Sequence, residues 1–185
     1  VHYWENVGSA VRAVFVARND DDTGTFAGVQ IPAGFPNPAT FDVNADGIPD
    51  LVFGQGDGKL SYFQLLPSSS SSSYVLVRGV ADPFHNISVD TYGSMPALGD
   101  MDHDGDADLL VGAGGRTDVL YFENVGSPTA PSFVARDIGH PKNPFGALLA
   151  DVGRFSDPAL GDLDNDGDLD LVIGGPENAI VVFEN

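Results

Sequence analysis

A nine-residue acidic phrase occurs three times in this chain: DVNADGIPD at residues 42–50, DMDHDGDAD at 100–108 and DLDNDGDLD at 162–170. The shared pattern is D-x-(D/N)-x-D-G-x-x-D, and each copy runs directly into an apolar segment, LVFG, LLVG or LVIG. Oxygen-bearing side chains at positions 1, 3, 5 and 9, with glycine at position 6 for the bend, are what a short loop needs to wrap a hard divalent cation. The expected side-chain ligands are Asp42, Asn44, Asp46 and Asp50; Asp100, Asp102, Asp104 and Asp108; and Asp162, Asp164, Asp166 and Asp170. Position 7 is Ile48, Asp106 or Asp168. An isoleucine side chain cannot ligate calcium, so this slot is expected to contribute its backbone carbonyl. Three copies in register predict three calcium sites.

The residues after each loop decide what kind of calcium loop this is. An EF-hand closes its ligand set with a bidentate glutamate at position 12 and carries helices on both sides. Position 12 here is Phe53, Val111 or Ile173, and the following segments are rich in β-formers. The ligand set therefore closes at position 9, at the start of a strand, and the loop is a calcium-filled connection between two strands.

The formal charge of −19 comes largely from these loops, which hold three, five and five of the 27 acidic residues. Eight lysines and arginines in 185 residues leave no basic patch for phosphates, so nucleic acid is not an expected partner. Hydrophobic content of 42% supports an ordered core. The absence of cysteine excludes disulfides and thiolate metal sites. No apolar run approaches the length of a membrane span, so membrane insertion is not expected. The chain starts at Val1 without a visible signal peptide and reads as a processed segment of something longer.

A second periodicity lies in the aromatic segments VHYWENVGS, LSYFQLLPS, VLYFENVGS and IVVFEN. They align Trp4, Phe63, Phe122 and Phe183 at intervals of 59, 59 and 61 residues, a recurrence that marks these aromatics as core. Eleven residues beyond the first three lie Phe15, Tyr74 and Phe133, and a proline-led strand (PATF, PALG, PALG) precedes each acidic loop. Each unit is thus four short strands: one entering the loop, one leaving it, one with the aromatic and one with the later Phe or Tyr. Four strands per unit of about 60 residues predict an all-β chain of β-propeller blades, each of four antiparallel strands with its calcium loop between the first and second. About three repeats are present. The segments are a partial blade at 1–18, blades at 38–78 and 96–136, and a partial blade at 157–185, together one domain over 1–185. The near-continuous apolar second strands fit sheets covered on both faces.

These loops and flanking strands resemble the FG-GAP/VCBS repeats, the calcium-binding blades of integrin-α-like propellers. The segments YFENVGS…PSFVAR and ALGDLDNDGDLDLVIGG carry the resemblance, which extends over essentially the whole chain. It implies a propeller fold, calcium sites and an extracellular setting. Two departures stand out. The first loop has Asn44 and no acid at position 7, so it is expected to bind calcium more weakly. Ser68, Ser69, Ser70, Ser71, Ser72 and Ser73 replace an ordinary loop with a serine run, a candidate for O-linked sugar. Asn86-Ile87-Ser88 is an N-glycosylation sequon.

His2, His85, His103 and His140 are scattered, with His103 at loop position 4 expected to face solvent, and no G-x-S-x-G occurs. The reading is therefore non-enzymatic: a secreted or cell-surface, calcium-stabilised repeat protein for adhesion or extracellular structural assembly. Its expected partners are the rest of a longer propeller chain or further copies of itself, joined head to tail as a filament, with glycans or extracellular proteins as ligands. A glycan-binding propeller lectin is the alternative, favoured by a surface aromatic beside polar loop residues. A propeller-fold hydrolase would need a carboxylate pair in a cleft outside the three loops.

Overall fold

The computed structural model describes residues 2–19, 24–67, 72–89, 92–175 and 180–185. The chain is all-β, with thirteen strands in four antiparallel sheets among the described residues. β1 (His2–Asn6) and β2 (Phe15–Asn19) form a hairpin. A four-stranded meander follows, made of β3 (Asn37–Phe41), β4 (Asp50–Gly54), β5 (Leu60–Leu66) and β6 (Ser73–Leu76). A second meander has β7 (Ser94–Gly99), β8 (Asp108–Ala113), β9 (Leu120–Asn124) and β10 (Phe133–Arg136). The last sheet is β11 (Asp157–Gly161), β12 (Asp170–Gly174) and β13 (Ile180–Phe183). Helix among the described residues is confined to two 3-10 turns, Gly79–Ala81 and Gly146–Leu149.

The apolar strands behind the acidic loops build the core because their two faces meet different neighbours. In β8 all six residues are buried. Leu109 and Val111 join Val43, Val52, Leu60, Tyr62, Phe84 and Ile87 in a cluster shared with the first meander. Leu110, between them in sequence, points the other way and packs with Leu149, Leu171 and Ile173 towards the last sheet. Alternation with period two, applied to an unbroken apolar run, produces this double-sided burial. Each fully buried Leu or Val in such a place contributes about 1.5–3 kcal/mol.

Close backbone approach holds the sheets at this spacing. A Cβ on Gly54 would lie 1.8 Å from the carbonyl oxygen of Ser94, and one on Gly112 would lie 1.7 Å from that of Ser156. The last glycine of the second strand thus receives the backbone that begins the next sheet, and the smallest residue is the one that fits. Ser94 seals the first of these contacts. Its amide donates to the Gln55 carbonyl (3.2 Å), its hydroxyl accepts from the Gln55 amide (3.0 Å), and the same hydroxyl donates to the Lys59 carbonyl (2.8 Å).

The recurring aromatics divide. Phe63, Phe122 and Phe183 stand in register with Leu51, Leu109 and Leu171 on the neighbouring strand. Phe63 and Phe122 are buried and Phe183 half-buried. Trp4 was expected in the core and is instead 66% exposed. Its partner strand is β2, which offers Ala17, and among the described residues the hairpin pairs with no strand equivalent to β4, β8 or β12 to cover the indole. Tyr3, on the other face of β1, packs on Phe26 at 4.7 Å, and Phe26 stacks on Tyr74 of β6 at 5.3 Å.

Candidate metal centre

The three acidic loops connect the first and second strands of the three larger sheets. Their ends are fixed by the pairings Phe41↔Asp50, Gly99↔Asp108 and Gly161↔Asp170, so position 9 is in each case the first residue of a strand. Two left-handed residues wind each loop inward. Position 4 is Ala45 (φ +54°), His103 (φ +61°) or Asn165 (φ +66°), and position 6 is Gly47 (φ +86°), Gly105 (φ +93°) or Gly167 (φ +103°). A Cβ at any of these glycines would meet nothing within 4 Å, so backbone conformation and not space requires glycine there.

This winding turns the odd-numbered side chains to one side. The carboxylates of Asp100, Asp102 and Asp104 converge with oxygens within 4.8 Å of one another, and those of Asp162, Asp164 and Asp166 do the same. The first loop has the same internal bonding with one neutral member. Asp42 accepts from the amides of Asp46 (3.0 Å) and Gly47 (2.7 Å), Asn44 accepts from Asp46 (3.0 Å), and Asp46 accepts from Ile48 (2.9 Å). In the third loop Asp162 accepts from Asp166 (3.2 Å) and Gly167 (3.1 Å), Asp164 from Asp166 (3.2 Å), and Asp166 from Asp168 (3.0 Å). In the second, Asp100 accepts from Gly105 (3.1 Å) and Asp104 from Asp106 (3.1 Å).

Position 9 is the buried floor of each site. Asp50 accepts from the Val43 amide (3.2 Å) and the Tyr62 hydroxyl (2.8 Å). Asp108 accepts from the Met101 amide (3.4 Å), the Tyr121 hydroxyl (2.9 Å) and the Asn124 amide (2.8 Å). Asp170 accepts from the amides of Leu163 (2.8 Å) and Asn185 (3.0 Å). Sequence reasoning missed Tyr62, Tyr121, Asn124 and Asn185. The signal was present in the YF pairs and the FEN segments, where the residues flanking the core aromatic reach the loop.

Burial pushes the Asp108 carboxyl up to about 6 and raises Asp50 as well. Burial and the neighbouring carboxylates raise Asp102 and Asp106. The Tyr62 and Tyr121 hydroxyls are raised by burial and by the carboxylates they serve, so both stay protonated donors. Asp170 is lowered by the amides of Asn185 and Leu163. Three buried carboxylate oxygens, Oδ1 of Asp50, Asp100 and Asp106, have no hydrogen-bond partner. Converging carboxylates with raised pKa values and orphaned buried oxygens are a donor set that fits a hard divalent cation.

Residues 42–111 match the family model described as the FG-GAP-like repeat. That stretch carries FG-GAP-like repeat sequence. The match begins at the first residue of the first loop and ends just beyond the second loop, in β8. The third loop repeats its motif, strand register and internal hydrogen bonds. No curated protein matches the chain. FG-GAP repeats often bind calcium, in keeping with the aspartate clusters found here.

The remaining sequence-predicted residues fall elsewhere. His103 is exposed, as expected, and Asp168 at position 7 places a carboxylate oxygen 3.0 Å from its Nε2, so the histidine also bridges the second and third loops. Asp106 at the same position is buried, with one carboxylate oxygen lacking a partner. Asn86 is exposed on the turn that follows Asp82. Ser73 begins β6 and Ser72 precedes it half-buried, while Ser68, Ser69, Ser70 and Ser71 lie outside the described residues.

Proposed function

We propose that this chain is a calcium-stabilised β-propeller segment of a secreted or cell-surface protein that serves adhesion or extracellular assembly. The observation that carries the reading is the convergence of the carboxylates at positions 1, 3 and 5 of the second and third loops, together with buried carboxylate oxygens that lack a partner in the first and second. Each loop would hold one ion through its side chains at positions 1, 3, 5 and 9 and the carbonyl of Ile48, Asp106 or Asp168. The ion supplies positive charge where the fold has crowded negative charge, and the reading assigns the carboxylates to structure and not to catalysis. The first loop, with Asn44 in place of an acid at position 3, is the weakest of the three.

Two four-stranded meanders with shared cores support the propeller reading. The extracellular setting is supported by the family, since FG-GAP repeats are typical of extracellular proteins. No helix among the described residues is long and apolar enough to cross a membrane. Asn86 is exposed, as an N-glycosylation acceptor must be. For assembly, the relevant surfaces are the exposed apolar residues Trp4 and Phe15 on the β1–β2 hairpin and Ile180 and Val182 on β13. Further blades or further copies of the chain are the partners these surfaces suit.

Calorimetric titration of chelator-treated protein with calcium tests the reading. Three binding events, the weakest abolished by Asp46→Ala, are expected. The absence of binding heat, with an unfolding temperature indifferent to calcium, overturns it.

A further inference from the structure

Three exposed aromatic residues occupy equivalent places in the three larger sheets. Phe35, Tyr92 and Phe155 each lie two residues before the first strand, ahead of Asn37, Ser94 and Asp157, and are 87%, 69% and 52% exposed. Sequence patterning passed over them because they stand outside the strands. They line one cavity of about 480 Å³ together with Asn37 and Met95, a size within the ~300–1,000 Å³ usual for small-molecule sites. Each first strand runs from this cavity towards its acidic loop, so the aromatic cluster lies at the opposite end of the sheets from the carboxylates.

The aromatics are held on fixed backbone. Phe35 (φ +47°) and Phe155 (φ +53°) adopt the left-handed conformation, which bulky residues rarely accept. Their segments are tied to the glycine turns of neighbouring sheets. The Gly56 amide donates to the Gly34 carbonyl (3.0 Å), the Gly114 amide to Gly93 (3.2 Å) and the Phe155 amide to Ala113 (3.3 Å). A Cβ on Gly114 would meet the Tyr92 carbonyl oxygen (2.2 Å) and Cβ (2.9 Å) and the Phe155 ring (2.8 Å), so the Phe155 ring lies beside the backbone that carries Tyr92. Strain retained on a pinned backbone, with the ring left in solvent, is a cost that a binding role explains and core packing does not.

The chemistry of the lining selects the ligand. The chain carries a net charge of −19, yet among the described residues no charged side chain lines this cavity. Anionic ligands lack a cation there, and cationic ones lack a carboxylate. The surfaces provided are aromatic faces, the Asn37 amide and the Tyr92 hydroxyl, groups that both donate and accept hydrogen bonds. A pyranose ring has the complementary form, with a C–H face that lies on an aromatic ring and a rim of neutral hydroxyls. We propose that Phe35, Tyr92 and Phe155 form a binding site for neutral glycans at the end of the sheets opposite the acidic loops. The site goes beyond the calcium reading and does not depend on ion occupancy for its contacts.

The test is a panel of immobilised neutral oligosaccharides (gluco-, manno-, galacto- and N-acetylglucosamine-based) with alginate and heparin as anionic counterparts, probed in millimolar calcium. Binding to at least one neutral member and to neither anionic one is expected. Tyr92→Ala and Phe155→Ala should each weaken it on the order of ten-fold or more. Val80→Ala, on a separate exposed turn outside the cavity, should leave it unchanged. All three variants should keep the wild-type unfolding temperature, and Tyr92→Phe should retain part of the affinity if a variant folds poorly. No neutral binding, preference for the anionic polymers, or binding indifferent to the substitutions overturns the proposal. So does a Tyr92→Ala, Phe155→Ala double variant that dissociates an oligomer in sedimentation, which would make the cluster a protein interface. The calcium titration reads the other end of the sheets, so the two proposals fail independently.

Discussion

Gly54 and Gly112 are the positions at which the spacing of the sheets can be tested most sharply. Alanine is ordinarily the better strand residue by roughly 0.5–1 kcal/mol, because glycine loses more backbone freedom on folding. Without a steric conflict, Gly54→Ala should therefore stabilise the protein slightly. The structure gives the opposite sign. The new Cβ would sit 1.8 Å from the Ser94 carbonyl oxygen, whereas ordinary contact begins at 3.4 Å. The obstacle is backbone, so no side chain can swing aside and the second meander must withdraw by about 1.6 Å. That movement breaks the buried pair of hydrogen bonds between Gln55 and Ser94. At about 1 kcal/mol each, plus about 1–3 kcal/mol for polar groups left unsatisfied, the loss is roughly 3–5 kcal/mol. A chain of this length loses about 2–4 °C per kcal/mol, so the midpoint should fall by roughly 6–20 °C. Circular dichroism melts in saturating calcium measure this directly. Gly174→Ala is the internal control, because the nearest atom among the described residues lies 4.0 Å from its Cβ. A Gly54→Ala melt at or above the wild-type midpoint, or equal losses at Gly54 and Gly174, would refute the close approach.

Chelation should lower the unfolding midpoint steeply, since each site at a hundred-fold excess of calcium over its Kd contributes about 2.7 kcal/mol; equal midpoints in EDTA and calcium would show the ions to be absent or incidental. Asp166→Ala should destabilise the calcium-loaded protein more than Asn44→Ala, because it removes a charged member of a complete carboxylate cluster. Tyr121→Phe should cost about 1–3 kcal/mol by leaving the buried Asp108 short of a donor, and a variant that melts with wild type would remove that hydrogen bond from the account. In calcium-free protein, a folded Asp108 pKa of about 6 against 3.8 unfolded means that the native state holds the extra proton. Stability should then fall as pH rises from about 4 to 6, by up to about 3 kcal/mol, and chemical denaturation in EDTA that shows a rise instead would contradict it.

The sheets were legible because their signals are local and repeated. A fixed interval between aromatics, a fixed loop and an unbroken apolar run after it placed strands where the structure has them, and Leu109, Leu110 and Val111 were readable as a strand covered on both faces. Trp4 was misjudged because periodicity assigns a residue to a position in a repeat without establishing that a neighbouring strand covers it. The loop carboxylates were visible as a pattern, but their supporting residues were not. Tyr62 and Asp50 are twelve residues apart, and their contact depends on the register between β4 and β5. His103 and Asp168 meet across two sheets, a pairing that no spacing along the chain encodes. Phe35, Tyr92 and Phe155 escaped notice for a related reason: an aromatic outside a strand reads as loop until its exposure and its neighbours are known.

The path from the loops into the core gives the candidate cation a structural consequence beyond neutralising charge. Asp50 holds the Tyr62 hydroxyl, the Tyr62 ring meets Phe84 edge-on at 5.7 Å, and Phe84 stacks at 5.0 Å on Phe133 of β10 in the next sheet. Asp108 holds Tyr121, whose ring meets Phe145 edge-on at 5.9 Å in the cluster shared with the last sheet. A cation that fixes the position 9 carboxylate therefore fixes a tyrosine that packs between sheets. The third loop departs from this arrangement. Val182 stands where the first two have tyrosine, and the Asn185 amide supplies a bond to Asp170 from the backbone. Loss of the ion from the first or second loop should thus loosen contacts between sheets, while loss from the third should be felt mainly within its own sheet. Hydrogen exchange on chelation distinguishes the two. Protection should drop in β5, β9 and β10 together for the first two sites, and in β12 and β13 alone for the third. Loss confined to residues 42–49 and 100–107 would show that the tyrosines do not transmit the effect.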